Sequence, residues 1–219
     1  MPIYPMPFCR VEIALQSLFE GRLCTLLIQR QEEPYKGFWG LPGGVLRVDL
    51  DADLDATARR VSGERLGLVP PSLKQLVAVG AKGRDPRGEK EWGLSVVYYA
   101  LVPEGSVSPV AGKRVSALKW VPADGKPPRM AFDHPSLIAQ VVQATRSAVA
   151  GLNYPEGFVP ERFTLSQLQG LSEQVLGRGL DKSSFRRKLR ERGLVQAIDG
   201  EFTTGEKSRP AALYRLRAA

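Results

Sequence analysis

The sequence TLSQLQGLSEQVLGRGLDKSSFRRKLR, residues 164–190 of the 219-residue chain, contains signals for the start and end of two short helices. Thr164 and Gln167 fit a capping box, in which each side chain bonds the backbone N–H of the other residue. A helix that begins there would end at Gly177, and Asp181 is a suitable cap for the next helix. The pattern therefore predicts two helices that are joined by a tight turn.

The second predicted helix has one apolar face and one basic face. Phe185 and Leu189 share a helix face, and Phe185 can pack on Leu180 just before the cap. The remaining positions carry short polar or basic side chains: Lys182, Ser183, Ser184, Arg186, Arg187 and Arg190. Such side chains at the start of a helix suit the base edges and phosphates of double-stranded DNA, so we predict a recognition helix here.

Two strands and a basic loop follow this helix. Apolar-rich segments at 194–198 and 211–216 predict the strands, and Asp199-Gly200 predicts a turn after the first of them. The order of helix, turn, helix, strand and strand is typical of a winged helix. Lys207 and Arg209 lie in the predicted wing, where they could meet phosphate and the minor groove.

The charge of the chain is concentrated at this end. Of the formal net charge of +8, residues 160–219 contribute +5, from 12 Lys/Arg and 7 Asp/Glu. This basic balance favours a nucleic acid partner, although a protein-binding module with solvated arginines would have the same charge. No apolar run approaches the ~18 residues of a membrane span, and no secretory signal begins the chain, so we expect a cytoplasmic protein with no membrane partner.

Residues 1–151 predict a separate domain that contains a sheet and two helices. The predicted strands cover residues 11–19, 23–29, 73–79 and 94–102, and the predicted helices cover residues 51–67 and 135–150. Residues 38–44 are too rich in Gly and Pro for a helix, so we expect a tight loop there. Two prolines and a glycine in 152–160 indicate a linker to the winged helix domain at 161–219.

Residues 43–68 resemble the Nudix box, a loop, helix and loop that in the Nudix family hold Mg²⁺ against a nucleoside diphosphate. Aligned on Gly67-Leu68, the family's arginine falls on Arg60 and the first glutamate of its closing pair on Glu64. The other three carboxylate positions carry Ala52, Val61 and Arg65. Because the family's glutamates hold the cation together from one helix face, a single glutamate beside an arginine is a poor magnesium site. We therefore predict no catalytic residue, no metal ligand and no required cofactor.

An enzyme remains the alternative, because Arg60, Glu64 and the Gly43-Gly44 loop are retained. In that alternative the protein is a Nudix pyrophosphatase that hydrolyses ADP-ribose-like substrates with Mg²⁺. The two hypotheses make opposite predictions for the turnover of a bound nucleotide.

Four further segments resemble Nudix-related transcriptional regulators of NAD metabolism: residues 84–101, 131–135, 181–189 and 209–215. The resemblance implies an α+β chain, with a Nudix-like α/β/α sandwich around a mixed sheet and then a winged helix-turn-helix domain. It also implies a homodimeric repressor that binds operator DNA and an effector, ADP-ribose or a related nucleotide. The residues predicted to bind this nucleotide are Trp39, Arg47, Arg60, Glu64, Arg84 and Arg87.

Four side chains have informative chemistry: those of Arg84, Arg87, Trp39 and His134. Arg84 and Arg87 lie on a loop stiffened by Pro86, and guanidinium groups donate paired hydrogen bonds to phosphate oxygens. Trp39 could stack on a base or nicotinamide-like ring, or it could belong to the core. His134, the only histidine, is expected to have a structural role beside the helix that it or Asp133 caps.

Overall fold

The computed structural model describes residues 7–88, 92–203 and 210–217, so Lys207 and Arg209 lie outside the described residues. The strands are β1 (Phe8–Phe19), β2 (Arg22–Arg30), β3 (Trp39–Gly40), β4 (Gly43–Val45), β5 (Lys74–Lys82), β6 (Trp92–Val102), β7 (Val115–Pro122), β8 (Val195–Phe202) and β9 (Ala212–Leu216). The helices are α1 (Leu54–Leu66), α2 (His134–Ala150), α3 (Leu165–Leu176) and α4 (Lys182–Glu191). In this part of the chain, no helix has the length and apolar character that crossing a bilayer requires.

The N-terminal strands form one mixed sheet. Its order is β3-β2-β1-β6-β5, with β4 also paired to β1 and β7 to β2. The central strands β1 and β6 are parallel, and the other pairs are antiparallel. A parallel pair at the centre needs a long connection between its strands, and here that connection contains α1.

Helices α1 and α2 cover opposite faces of this sheet. Ile13 of β1 belongs to a buried cluster with Val61 of α1, whereas its neighbour Ala14 belongs to a cluster with Leu137 of α2. Consecutive strand residues point to opposite faces, so each face of the sheet is covered by one helix. The predicted α/β/α sandwich with a mixed sheet is confirmed.

Most local signals in this domain are confirmed. The hairpin residues Glu20 and Gly21 both have positive φ, 49° and 73°, which matches the twist of the paired strands. The tight loop expected at 38–44 is wrong, because this segment contains β3 and β4. Backbone pairing with β1 overrides the composition, and Gly43 lies opposite Glu12.

The helix predicted over residues 51–67 is α1, which begins at Leu54 and is capped by Asp53 and Gly67. The Asp53 carboxylate accepts a hydrogen bond from the Ala56 N–H at 2.6 Å, and Gly67 ends the helix with φ 68°. Ala58 and Val61 are fully buried against the sheet. This burial fixes the position of α1 on β1.

The helix-turn-helix is also confirmed. The Thr164 hydroxyl accepts from the Gln167 N–H at 3.1 Å, and Gln167 Oε1 accepts from the Thr164 N–H at 2.7 Å. Gly177 ends α3 with φ 67°, and the Asp181 carboxylate accepts from the Ser184 N–H at 2.8 Å. These local bonds fix the start of α4 relative to α3.

Strands β8 and β9 form the hairpin expected of a winged helix. Phe163 forms an isolated antiparallel bridge to β9 through two backbone hydrogen bonds with Tyr214. The turn predicted at Asp199-Gly200 is wrong, because β8 continues to Phe202 and pairs there with Ala212 after a register shift. The left-handed Gly200 lies within this irregular part of the strand, where it permits a bulge instead of a turn.

Residues 152–160, which the sequence predicts as a linker, are partly packed into the interior. Leu152 and Phe158 belong to one buried cluster with Val149 of α2, Leu168 of α3 and Leu189 of α4. Two arginines add polar links: Arg146 and Arg192. The division of the chain at residues 151 and 161 remains a prediction.

Arg146 and Arg192 donate hydrogen bonds to backbone carbonyls and so link α2 to the helix-turn-helix. Arg146 on α2 donates to Asp124 at 2.9 Å and to the Val175 carbonyl on α3 at 3.1 Å. Arg192, just after α4, donates to the Gly151 carbonyl at the end of α2. The C-terminal half of α2 is therefore held against both helices of the helix-turn-helix.

Leu168→Ala tests this shared interior. Leu168 is fully buried, so the truncation should lower the free energy of unfolding by about 2–5 kcal/mol through lost burial and the cavity left behind. Urea denaturation measures the loss, and Gln174→Ala on the exposed side of α3 is the control. A loss equal to that of the control would contradict the packing described here.

Candidate functional site: a cationic pocket and a basic helix

A polar pocket of about 270 Å³ opens where β4, the end of α1 and three loops meet. We call it the cationic pocket, because most of its charged side chains are positive. Its cationic residues are Arg10, Arg30, Arg47, Arg60, Arg65, Arg87, Lys113 and Arg114, and its acidic residues are Glu32, Glu33 and Glu64. A concave site with this charge attracts an anion that carries several negative charges.

The segment that caps the end of α1 places two cations, distant from the helix in sequence, at the pocket. The N–H groups of Val110, Gly112 and Lys113 donate to the last carbonyls of α1, which would otherwise lack partners. The Lys113 bond to the Glu64 carbonyl is 2.8 Å long. This capping segment therefore places Lys113 and the next residue, Arg114, beside α1.

Arg60 is a clamp inside the pocket. Its Nε and Nη2 donate to the two oxygens of Asp51, both at 2.7 Å, and Nη2 also donates to the Val45 carbonyl at 2.9 Å. Nη1 lies 3.4 Å from Glu64 Oε1. Hydrogen bonds from Arg60 hold the pKa of Asp51 well below its usual range. Arg60 therefore joins the loop before α1 to the helix itself.

Arg65 also lines the pocket. Its Nε donates to the Gly43 carbonyl at 2.9 Å, and Nη1 donates to the Lys113 carbonyl. Burial, with repulsion from Arg10 and Arg114, lowers the pKa of Arg65. Arg65 therefore pairs with backbone carbonyls and not with Glu64, and positive charges crowd around it.

Four of the six predicted nucleotide-binding residues line this pocket: Arg47, Arg60, Glu64 and Arg87. Arg87 is also bonded to the buried Asp85, and its guanidinium lies 5.2 Å from the centre of the Phe132 ring. Arg30 lies over the same ring at 5.0 Å. Both guanidinium groups therefore lie against the Phe132 ring.

The other two predicted residues do not line the pocket. Arg84 donates to both oxygens of Asp133, at 2.7 and 2.8 Å, and to Ser95 Oγ at 2.6 Å. Trp39 is half-buried in β3, where it packs against the core cluster beneath α2. A ligand-binding role for Arg84 and Trp39 remains a prediction.

The same region shows what His134 and Asp133 do. His134 is buried, its Nδ1 accepts from the Leu41 N–H at 2.8 Å, and burial lowers its pKa. Asp133 stands at the N-cap position of α2, but its side chain makes no capping bond. The expected cap is wrong because the Asp133 carboxylate pairs with Arg84 instead.

Sequence reasoning missed several cations of the pocket: Arg10, Arg30, Lys113 and Arg114. One signal was available in β1, where Arg10 and Glu12 interrupt an apolar strand. Both are buried and form an ion pair at 2.9 Å. A charged pair inside a strand pattern indicates either a buried ion pair or a site. Of the other three, Arg30 ends β2, and Lys113 and Arg114 lie on a loop whose position depends on tertiary pairing.

The predicted recognition helix α4 presents a basic surface. Lys182, Ser183, Arg187 and Arg190 are exposed, and Ser184 and Arg186 are half-buried. Arg186 donates to Ser166 Oγ on α3 at 3.2 Å, so it also holds the two helices together. On the opposite face, Phe185 and Leu189 are buried, as predicted.

Comparisons with known proteins match the N-terminal and C-terminal parts of the chain separately. The profile of the NUDIX domain matches residues 14–141, and that of the NrtR DNA-binding winged helix domain matches residues 157–216. The ADPR responsive transcriptional repressor NtrR of Acinetobacter baylyi is 35% identical over 214 residues, which cover 97% of this chain and 83% of the relative. The chain belongs to the NrtR family.

Solved NrtR structures agree with the family assignment. Shewanella oneidensis NrtR in complex with a 27mer DNA is 33% identical, with a TM-score of 0.72 over 95% of this chain and 93% of that one. The NUDIX domain of the same protein in complex with ADP ribose is 34% identical, with a TM-score of 0.59 over 64% of this chain and 90% of that one. Both parts of the present chain therefore have an NrtR counterpart of known structure.

Asp51→Asn tests the clamp at Arg60. Because the pKa of Asp51 is depressed, the pair stabilises the fold above the usual Asp pKa of 3.8, and this contribution disappears as the pH falls below that value. We expect the variant to lose about 1–3 kcal/mol at pH 7 and less at pH 3, measured by urea denaturation. Asp49→Asn, which breaks the exposed pair with Arg47, should change stability by less than about 1 kcal/mol. Equal effects of the two variants would contradict the clamp.

Proposed function

We propose that this protein is a transcriptional repressor whose Nudix domain binds ADP-ribose or a closely related nucleotide and whose winged helix binds operator DNA. The observation that carries this proposal is the combination, in one NrtR-family chain, of the cationic pocket with the basic surface of α4. The relative from Acinetobacter baylyi is named for its response to ADPR, and the Shewanella oneidensis protein was crystallised with ADP ribose and with DNA.

The cationic pocket suits the diphosphate of such a nucleotide. Among the described residues, Arg47 and Arg114 form ion pairs only with exposed carboxylates, Asp49 and Glu32, which a stronger anion can replace at low cost. Arg87 is held in place by buried Asp85, so its remaining donors are already oriented. Prealigned guanidinium groups bind phosphate oxygens with little loss of side-chain entropy.

The basic surface of α4 suits the major groove of DNA. Arg187 and Arg190 project from the exposed face, and Ser183 lies near the N-terminal end. The buried Phe185 and Leu189 fix this face relative to α3. We propose that the protein acts as a homodimer, which would place two such helices about 34 Å apart for reading a palindrome.

Helix α2 joins the two sites. Its N-terminus follows Phe132, the ring that holds Arg30 and Arg87. Its C-terminal half is bonded through Arg146 to α3. We propose that a nucleotide that moves the two pocket arginines shifts α2 and thereby the helix-turn-helix.

We also propose that the nucleotide is bound without being hydrolysed. Glu64 is the only acidic residue of α1 that lines the pocket, and it lies beside Arg60. Among the described residues, no group of three or more His, Cys, Asp or Glu side chains could hold a metal ion. A hydrolase of the Nudix type would need more carboxylates at this place.

Titration with ADP-ribose tests the sensor and the enzyme together. We expect ADP-ribose to dissociate the protein from a duplex selected from random DNA, as measured by fluorescence anisotropy, whereas free ribose should not. The same samples, supplied with Mg²⁺ or Mn²⁺, should release no AMP. Turnover that disappears in Glu64→Gln would instead establish the pyrophosphatase.

Arg187→Ala and Arg190→Ala test the recognition helix. Each should weaken binding to the selected duplex, by about 1–3 kcal/mol where the side chain meets a base, and a lost phosphate contact should lower the salt dependence of binding. Arg22→Ala, in the hairpin turn of the N-terminal sheet, removes the same charge from another exposed surface. Unchanged affinity in both α4 variants, or an equal loss in Arg22→Ala, would contradict a recognition role.

A further inference from the structure

The residues of the cationic pocket do not fit the Mg²⁺ that the Nudix family places against its diphosphate substrates. A hard cation needs several converging oxygen ligands. On the pocket face of α1, the one carboxylate is Glu64, and it lies 3.4 Å from the Arg60 guanidinium. The surrounding cations repel a second positive charge.

We propose that Arg65 takes the place of the divalent cation, so that this protein binds the diphosphate of its nucleotide with no metal ion. The inference rests on the proposed function, since it concerns how the same pocket holds its ligand. It assigns to Arg65 direct contact with the diphosphate. In the Nudix box, this position carries a metal-binding carboxylate.

The geometry of Arg65 suits this role. Its Nε and Nη1 donate to the carbonyls of Gly43 and Lys113, so the plane of the guanidinium is fixed on both sides. Within the described residues, Nη2 makes no hydrogen bond, and it therefore keeps donors for a phosphate oxygen. Arg65 is bound by neutral carbonyls, so its full charge is still available to an anion.

The electrostatics of the neighbourhood point the same way. Burial lowers the pKa of Arg65, and the nearby charges of Arg10 and Arg114 lower it further. Cations that repel one another in the free protein gain the most from an anion placed between them. Glu64 and Glu12 offset only part of this repulsion, and a diphosphate would supply further negative charge beside Arg65.

Calorimetric titration of the full chain with ADP-ribose, in EDTA and in Mg²⁺, tests the inference. Wild-type affinity should be the same in both buffers to within about twofold. Arg65→Glu should weaken binding more than about tenfold in EDTA, and Mg²⁺ should restore part of the loss, because the variant carries a second carboxylate beside Glu64. Arg59→Glu makes the same charge change on the exposed face of α1 and should bind like the wild type.

The outcomes separate this inference from the proposed function. Wild-type binding that requires Mg²⁺, or Arg65→Glu binding that equals Arg59→Glu binding, would overturn the role of Arg65 and leave the sensor intact. Failure of the wild type to bind ADP-ribose in either buffer would overturn the proposed function itself. Arg65→Gln guards against misfolding of the glutamate variant, and it should also bind more weakly than wild type, with no gain from Mg²⁺.

Discussion

The close packing of β4 between β1 and α1 is the constraint on which the cationic pocket depends. A Cβ atom at Gly44 would lie 2.6 Å from Val61 of α1, and one at Gly43 would lie 1.7 Å from Glu12 of β1. Gly44 is therefore needed for α1 to approach β4, and Gly43 leaves room for the buried Glu12 side chain of β1. That approach brings the Gly43 carbonyl within reach of Arg65 and makes one pocket from strand, helix and loop cations.

The end of α1 shows how a catalytic framework can carry different chemistry. The capping segment that reaches the last carbonyls of α1 packs so tightly that a Cβ at Gly112 would lie 2.2 Å from the Glu64 carbonyl oxygen. This backbone arrangement depends on helix geometry and not on glutamate side chains. The helix can therefore keep its place when Arg65 stands where the Nudix box has a carboxylate. Under the proposal above, this exchange would turn a site for a cation into one for an anion.

Features set by neighbouring residues could be predicted from the sequence, whereas features set by distant residues could not. The caps at Thr164 and Asp181 involve residues three positions apart, and the structure has both. The turn predicted at Asp199-Gly200 fails because strand pairing with β9 overrides the local preference. Lys113 and Arg114 line the pocket because their segment caps α1, and no local sequence pattern predicts that contact.

The shared interior limits how an effector can act on DNA binding. A nucleotide lowers DNA affinity only if it binds more tightly to a conformation that binds DNA less well. Because Val149 of α2 and Leu189 of α4 lie in the same buried cluster, the winged helix cannot change its place without repacking against α2. Packed interiors favour a few discrete arrangements over continuous deformation. The buried contacts of α2 therefore favour a switch between two packed states over a gradual loosening of the domain.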